Sequence, residues 1–434
     1  MTAVASTSDR VRVQPAPEAA RVPTSSLLLL MGLAAGTLAQ GGFYGRGQVL
    51  LGAAIVVAAI AGRPRLLVRD ATTCAAVALA GWTVATALVA GRSLADGLRP
   101  AALPVALVIV ARLVEQLDTG QRRALVDGLL ALGAALAALA VVAVVWHVEP
   151  WAHRDQGLWR AATTLTYENA TGALLAMLAL VALARRSGRL GEAGAGLLVA
   201  GSIATLSRGA LLALAVGLVL LAALRRLAWR PLAGGLVLAC GVLPSAAGAS
   251  RPAIALAGLA LAAAVLLVPT RQALALLAAV ALVAVPLAGL GSSPLHGRVS
   301  VASSDRVGET RGALHDVRDH VLTGIGPGDQ ALRFGGAHDV HLDSYAHDEY
   351  LQVLWKSGAV GLVLLLLLLG STVRDVMRGR AARAADWTGC AAALLALGLA
   401  SSLDFLWHLP LIPLVGAVLA GVARPPFHTA QEKP

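Results

Sequence analysis

Arg208, in the turn Ser207-Arg208-Gly209 between two apolar runs, and His347, in Ala346-His347-Asp348-Glu349-Tyr350, are the residues best placed to do chemistry. A guanidinium is permanently charged and can hold two phosphate oxygens in a bidentate fork. An arginine wedged between apolar spans therefore suits a diphosphate better than a neutral sugar. An imidazole titrating near neutrality can take a proton from a hydroxyl. The stretch from Ser292 to Lys356 that carries His347 also holds Arg298, Arg306, Arg311, Arg318, Arg333, His338, His341 and Asp343. Plainer readings stand beside these: Arg208 snorkelling to lipid phosphate, and His347 hydrogen-bonded at an interface. His338, Asp339, His341, Asp343, His347 and Asp348 offer ligand atoms for a divalent ion, but no motif such as His-Glu-x-x-His orders them, so no metal is expected. Gly324-Ile-Gly326-Pro-Gly328-Asp329 lacks the lysine and the strand–loop–helix context of a phosphate loop and reads as a structural turn.

The elements that position these groups are membrane helices. The chain is 57% hydrophobic and only 14% charged, with a mean hydropathy of +0.75. Soluble domains carry about a quarter charged residues. Successive apolar runs of roughly 15–22 residues, most ending in arginine, predict an all-α polytopic membrane protein with about 12–14 transmembrane helices. The division is a tail over 1–24, membrane helices over 25–291, a polar loop over 292–356, membrane helices over 357–423 and a second tail over 424–434. The net charge of +11 does not point to nucleic acid, because the arginines gather in short connections such as Arg63/Arg65/Arg69, Arg112/Arg122/Arg123 and Arg185/Arg186/Arg189. The positive-inside rule accounts for them. With both termini in the cytoplasm, every strongly basic short connection falls inside. The connection 147–167, the Ser207-Arg208-Gly209 turn and the polar loop then fall outside. Cys74, Cys240 and Cys390 lie far apart within apolar runs and form neither a zinc pattern nor a disulfide framework.

Within the polar loop, the segment 311–320 reads as a short amphipathic helix. A second helix opens at Ala346 and leads into a span beginning near Gly358. These pieces, in this order, resemble the O-antigen ligase and polymerase superfamily. The resemblance rests on Ser207-Arg208-Gly209, Arg306, Leu322-Thr-Gly324-Ile-Gly326-Pro-Gly328, Ala346-His347-Asp348-Glu349-Tyr350-Leu351-Gln352 before Gly358-Ala-Val-Gly361, and Tyr167-Glu168-Asn169-Ala170 upstream. It covers the topology and the region from about 160 to 370. Two departures stand out: Asp348 replaces the usual asparagine after the histidine, and the tryptophan expected a few residues after the loop arginine is absent, so either Arg298 or Arg306 matches that arginine.

The resemblance implies a GT-C-like membrane glycosyltransferase in the cytoplasmic membrane, with its active loop outside. The enzyme would take a glycan from an undecaprenyl-diphosphate carrier and join it to a hydroxyl of a glycan, lipid or protein acceptor. Neither metal nor other cofactor is implied. Arg208 and Arg306 would grip the diphosphate and His347 would act on the acceptor hydroxyl, with Arg298, Arg311, Arg160 and Tyr350 assisting in binding. A polysaccharide polymerase is the alternative within the family. A transporter or flippase of polysaccharide precursors would place charges in mid-span, where this sequence has few. A non-catalytic sensor of cell-wall precursors would keep the arginines and tolerate loss of His347.

Overall fold

The computed structural model describes residues 23–66, 70–185, 187–287, 304–336, 339–382, 384 and 386–425. The described residues form an all-α bundle: α1 (Thr24–Leu38), α2 (Gly45–Gly62), α3 (Ala71–Val89), α4 (Leu94–Glu115), α5 (Thr119–Trp146), α6 (Glu168–Ala184), α7 (Arg189–Ala204), α8 (Arg208–Ala223), α9 (Trp229–Ala246), α10 (Pro252–Leu267), α11 (Thr270–Leu287), α12 (Ser304–Asp319), α13 (Glu349–Ala381), α14 (Trp387–Ser401) and α15 (Leu411–Ala423). Among them α2, α3, α4, α5 and α13 are long and apolar enough to cross a membrane, and most of the others are shorter apolar helices packed against these or against one another. Short connections make chain neighbours antiparallel.

Side chains written into the sequence start several helices. Ser93 and Asp96 form a reciprocal capping box on α4, and Asp118 and Gln121 form another on α5. Asp70 accepts from the Thr73 amide at 3.0 Å to open α3. The core sits around α6, whose residues from Ala170 to Leu183 are all buried, and α15, which is buried throughout. Apolar lipid gives no hydrophobic drive between helices, so small residues permit the close approaches instead. At the α9–α10 crossing, a Cβ on Gly258 would lie 2.9 Å from the Gly241 Cα.

The two ends of the bundle differ. One end is closed by charge: Arg112 pairs with Asp70 at 2.5 Å and Glu115 at 2.5 Å, and Arg424 with Asp375 at 3.3 Å and Glu115 at 3.5 Å. Arg122 donates to the carbonyls of Leu117, Glu115, Val422 and Arg424. These contacts tie the end of α15 to the ends of α3, α4 and α13 and to the start of α5. The other end carries the polar structure. There β1 (Ala152–Asp155) pairs antiparallel with β2 (Leu158–Ala161), and β3 (Leu332–Gly336) with β4 (Asp339–Asp343). These hairpins correct the expectation of helices and turns alone. Strands of four or five residues are too short for their alternation to stand out from a loop. The helix expected at 311–320 begins earlier, at Ser304, so Arg306 is a helical residue.

Candidate functional site

The site is built around a break in α13. At Gly358 the backbone takes φ 67 and ψ −173, which separates a surface segment from Glu349 to Ser357 from the long apolar helix that follows. Side chains rarely tolerate this region, and glycine supplies it. The chain from Val321 to Ile325 plugs the break: the Ala359 amide donates to the Val321 carbonyl at 2.8 Å and the Ile325 amide to the Trp355 carbonyl at 3.0 Å. From α3, the Trp82 indole donates to the Ser357 carbonyl at 2.8 Å. The Gly324–Gly328 turn is thus a docking device, as its composition suggested. Lys356 secures it from below, donating to the Gly328 carbonyl at 3.1 Å and to the Gln330 side chain at 2.6 Å. Burial, reinforced by the Arg92 charge, pulls the Lys356 ammonium down to about 8. At the start of the segment Asp348 caps α13, accepting from the Tyr350 amide at 2.8 Å and the Leu351 amide at 3.0 Å.

This frame holds His347 against α12. His347 Nδ1 lies 2.8 Å and 3.0 Å from the two Glu309 carboxylate oxygens, and the His347 amide donates to Glu309 at 3.1 Å. Glu309 is only 3% exposed. With Glu309 ionised, Nδ1 carries the shared proton and Nε2 keeps its lone pair. Burial lowers the imidazole pKa. The Glu309 hydrogen bond and the charges of Asp404 and Glu309 outweigh burial and Arg306, so His347 sits above its ordinary value. Arg306, one turn before Glu309, lines a cavity of about 280 Å³ together with Glu309, Phe334, His341, Asp343 and His347.

Asp404, in the connection between α14 and α15, anchors the deeper side. It accepts from the Tyr167 hydroxyl at 2.5 Å and from the Asn169 amide at 2.5 Å, and lies 3.9 Å from Arg306. Burial pushes its carboxyl above the usual range, against the opposing pull of Tyr167, His347 and Arg306. Ser207 and Gly209 border a small cavity with Asn169 and Asp404, so the turn carrying Arg208 lies beside this cluster. Arg208 opens α8 half-buried, and Ser207 caps it by accepting from the Ala210 amide. Aromatic rings close the neighbourhood: His347 lies edge-on to Phe405 with centroids 5.0 Å apart, and Tyr167 stacks on Phe405 at 5.1 Å.

Two residues expected to assist binding have other employment. Arg160 is 4% exposed; it pairs with Glu168 and with Asp155 at 2.8 Å, and donates to the Asn169 side chain at 3.0 Å and the Thr205 carbonyl at 3.1 Å. It holds the start of α6 and the approach to the Ser207-Arg208-Gly209 turn, which makes it a positioning residue. Tyr350 donates its hydroxyl to the Gly398 carbonyl at 3.0 Å, packing α13 on α14. Arg311 is exposed on α12 and does not border the cavity. Arg298 and His338 lie outside the described residues.

Sequence reasoning missed Glu309 and Asp404. Glu309 follows Arg306 at i,i+3, a spacing that puts both on one face of a helix, yet a charged helix reads as solvated. Asp404 is a lone acid at the end of an apolar run, itself a mark of function in a membrane segment. Of the suggested metal ligands, Asp343 and His347 do converge; with Glu309 they place ligand atoms within 4.8 Å of one another and could hold an ion. Both Glu309 oxygens are already engaged by His347. No known family model matches this chain, and no curated protein matches it.

Proposed function

We infer that the protein is a membrane glycosyltransferase of the O-antigen ligase type, acting on the outer face of the cytoplasmic membrane. The observation that carries the reading is the His347–Glu309 pair in a cavity it shares with Arg306, beside the turn of Arg208. Glu309 orients the imidazole and stabilises the imidazolium, as a triad carboxylate does. His347 Nε2 takes the proton of an acceptor hydroxyl as its oxygen attacks the anomeric carbon of the lipid-linked glycan. The bond from that carbon to the diphosphate oxygen breaks, and the electron pair leaves with the undecaprenyl diphosphate. Arg306 and Arg208 meet the charge that develops there. Asp404 holds Arg306 in place and is itself fixed by Tyr167 and Asn169. The chemistry needs no metal in this reading. The same bonds form and break in a ligase and in a polymerase, which differ only in the acceptor whose hydroxyl attacks.

The test separates donor grip from proton transfer. In membranes supplied with an undecaprenyl-diphosphate glycan, Arg208→Ala and Arg306→Ala should each cut transfer by roughly 10²–10³-fold at unchanged protein level. Normal transfer by both variants would remove the diphosphate-binding role.

A further inference from the structure

Tyrosine and phenylalanine are scarce in this chain, four of each. Three of the tyrosines and two of the phenylalanines meet in one chain of rings. Tyr44 packs edge-on to Phe43 with centroids 5.1 Å apart, Phe43 edge-on to Tyr345 at 6.0 Å, and Tyr345 stacks on Phe405 at 5.2 Å. Phe405 then meets both His347 and Tyr167, and His408 lies 4.1 Å from Tyr345. These rings come from four separate connections of the bundle, so no local helix periodicity explains their meeting. The row begins at Tyr44, which is 60% exposed, and ends at the imidazole of the candidate base.

A membrane-interface belt distributes aromatics around the perimeter and over both faces. The tryptophans do spread that way: Trp146 and Trp151 lie at the end bearing the hairpins, and Trp229 and Trp387 at the opposite end. The tyrosines and phenylalanines do not. Their row also has a polar rim. Gln48 donates to the Phe43 carbonyl at 3.3 Å and accepts from Arg99 at 2.6 Å, and the charges of Arg99, Asp329 and Asp343 all reach Tyr345. A rim of an amide and charges of both signs offers donors and acceptors together, which suits a partner rich in hydroxyls. Aromatic faces carry negative quadrupole charge and attract the polarised C–H face of a sugar ring, while the rim groups hydrogen-bond its hydroxyls.

We propose that the row Tyr44–Phe43–Tyr345–Phe405 is a glycan subsite that seats neutral pyranose rings and delivers an acceptor hydroxyl to His347. The assignment of its occupant as acceptor rests on the transferase reading; the binding of pyranose rings does not.

The experiment is saturation-transfer NMR on the full-length protein in nanodiscs, with neutral tetrasaccharides of glucose, galactose and mannose as probes. Wild-type protein should transfer saturation to the ring C–H protons of at least one probe. Tyr345→Ala and Tyr44→Ala should each weaken binding by about tenfold or more. Tyr44 is exposed, so that variant tests the subsite without a risk to folding. His347→Ala should still bind. Binding that is lost in the tyrosine variants supports the subsite even if the carrier is never turned over, in which case the transferase reading alone falls. No transfer to any probe, or binding that survives both tyrosine substitutions, overturns the subsite and leaves the rings as an interface belt.

Discussion

At His347 burial and charge act in opposite directions, and the net effect raises the imidazole pKa because the buried Glu309 carboxylate lies 2.8 Å from Nδ1. A base must be neutral to accept a proton, so activity should rise as pH passes upward through this elevated pKa. Glu309→Gln removes the negative charge and keeps an oxygen that can accept from Nδ1. The imidazole pKa then falls, and the acid limb of kcat/KM against pH should move to lower pH, with the plateau reduced by about tenfold or more. An unmoved acid limb would mean that Glu309 does not tune His347. Arg306 and Asp404 sit at the same scale. The Arg306 guanidinium lies 3.9 Å from a carboxylate fixed by Tyr167 and Asn169 and stays 38% exposed, which is the arrangement the proposed diphosphate contact requires.

The elements carry this arrangement through the break in α13. A Cβ on Gly358 would lie 2.3 Å from the carbonyl carbon and oxygen of Leu322, and a φ of 67 is itself unfavourable for alanine. Gly358→Ala should therefore undock the 321–328 turn at a cost of about 3 kcal/mol or more. Limited proteolysis would show faster cleavage near that turn and a loss of transfer, with the protein still inserted in the membrane. Unchanged protease resistance would contradict the docking role. Much of this level was legible in sequence. The apolar runs, the Ser207-Arg208-Gly209 turn, the glycine turn and the entry near Gly358 follow from residue type and period. The partners of those pieces were not legible, because they come from distant connections. Glu309 reaches His347 across 38 positions and Asn169 reaches Asp404 across 235, and no local pattern encodes either contact. Arg160 illustrates the converse: the resemblance implied an assisting role in binding, while the hairpin β1–β2 turns it inward onto Glu168 and Asn169.

Over the whole molecule, a charge-locked end and a polar working end are joined by apolar helices. The locked end depends on Arg424, 1% exposed between Glu115 and Asp375. Arg424→Ala removes one partner each from the buried Asp375 and the half-buried Glu115 and should cost on the order of 3 kcal/mol. Thermal unfolding of the purified protein should shift down, while folded protein keeps its specific activity because the working end is untouched. A variant as stable as wild type would show that α15 is held by packing alone.

The most direct test of the account is release of undecaprenyl diphosphate from a synthetic lipid-linked glycan by the purified protein. It would be followed with and without acceptor, in EDTA, for wild type and His347→Ala. The account predicts acceptor-dependent release that persists in EDTA and falls by roughly 10²–10⁴-fold in His347→Ala. Carrier binding without release under any acceptor, or release that His347→Ala leaves intact, would contradict it.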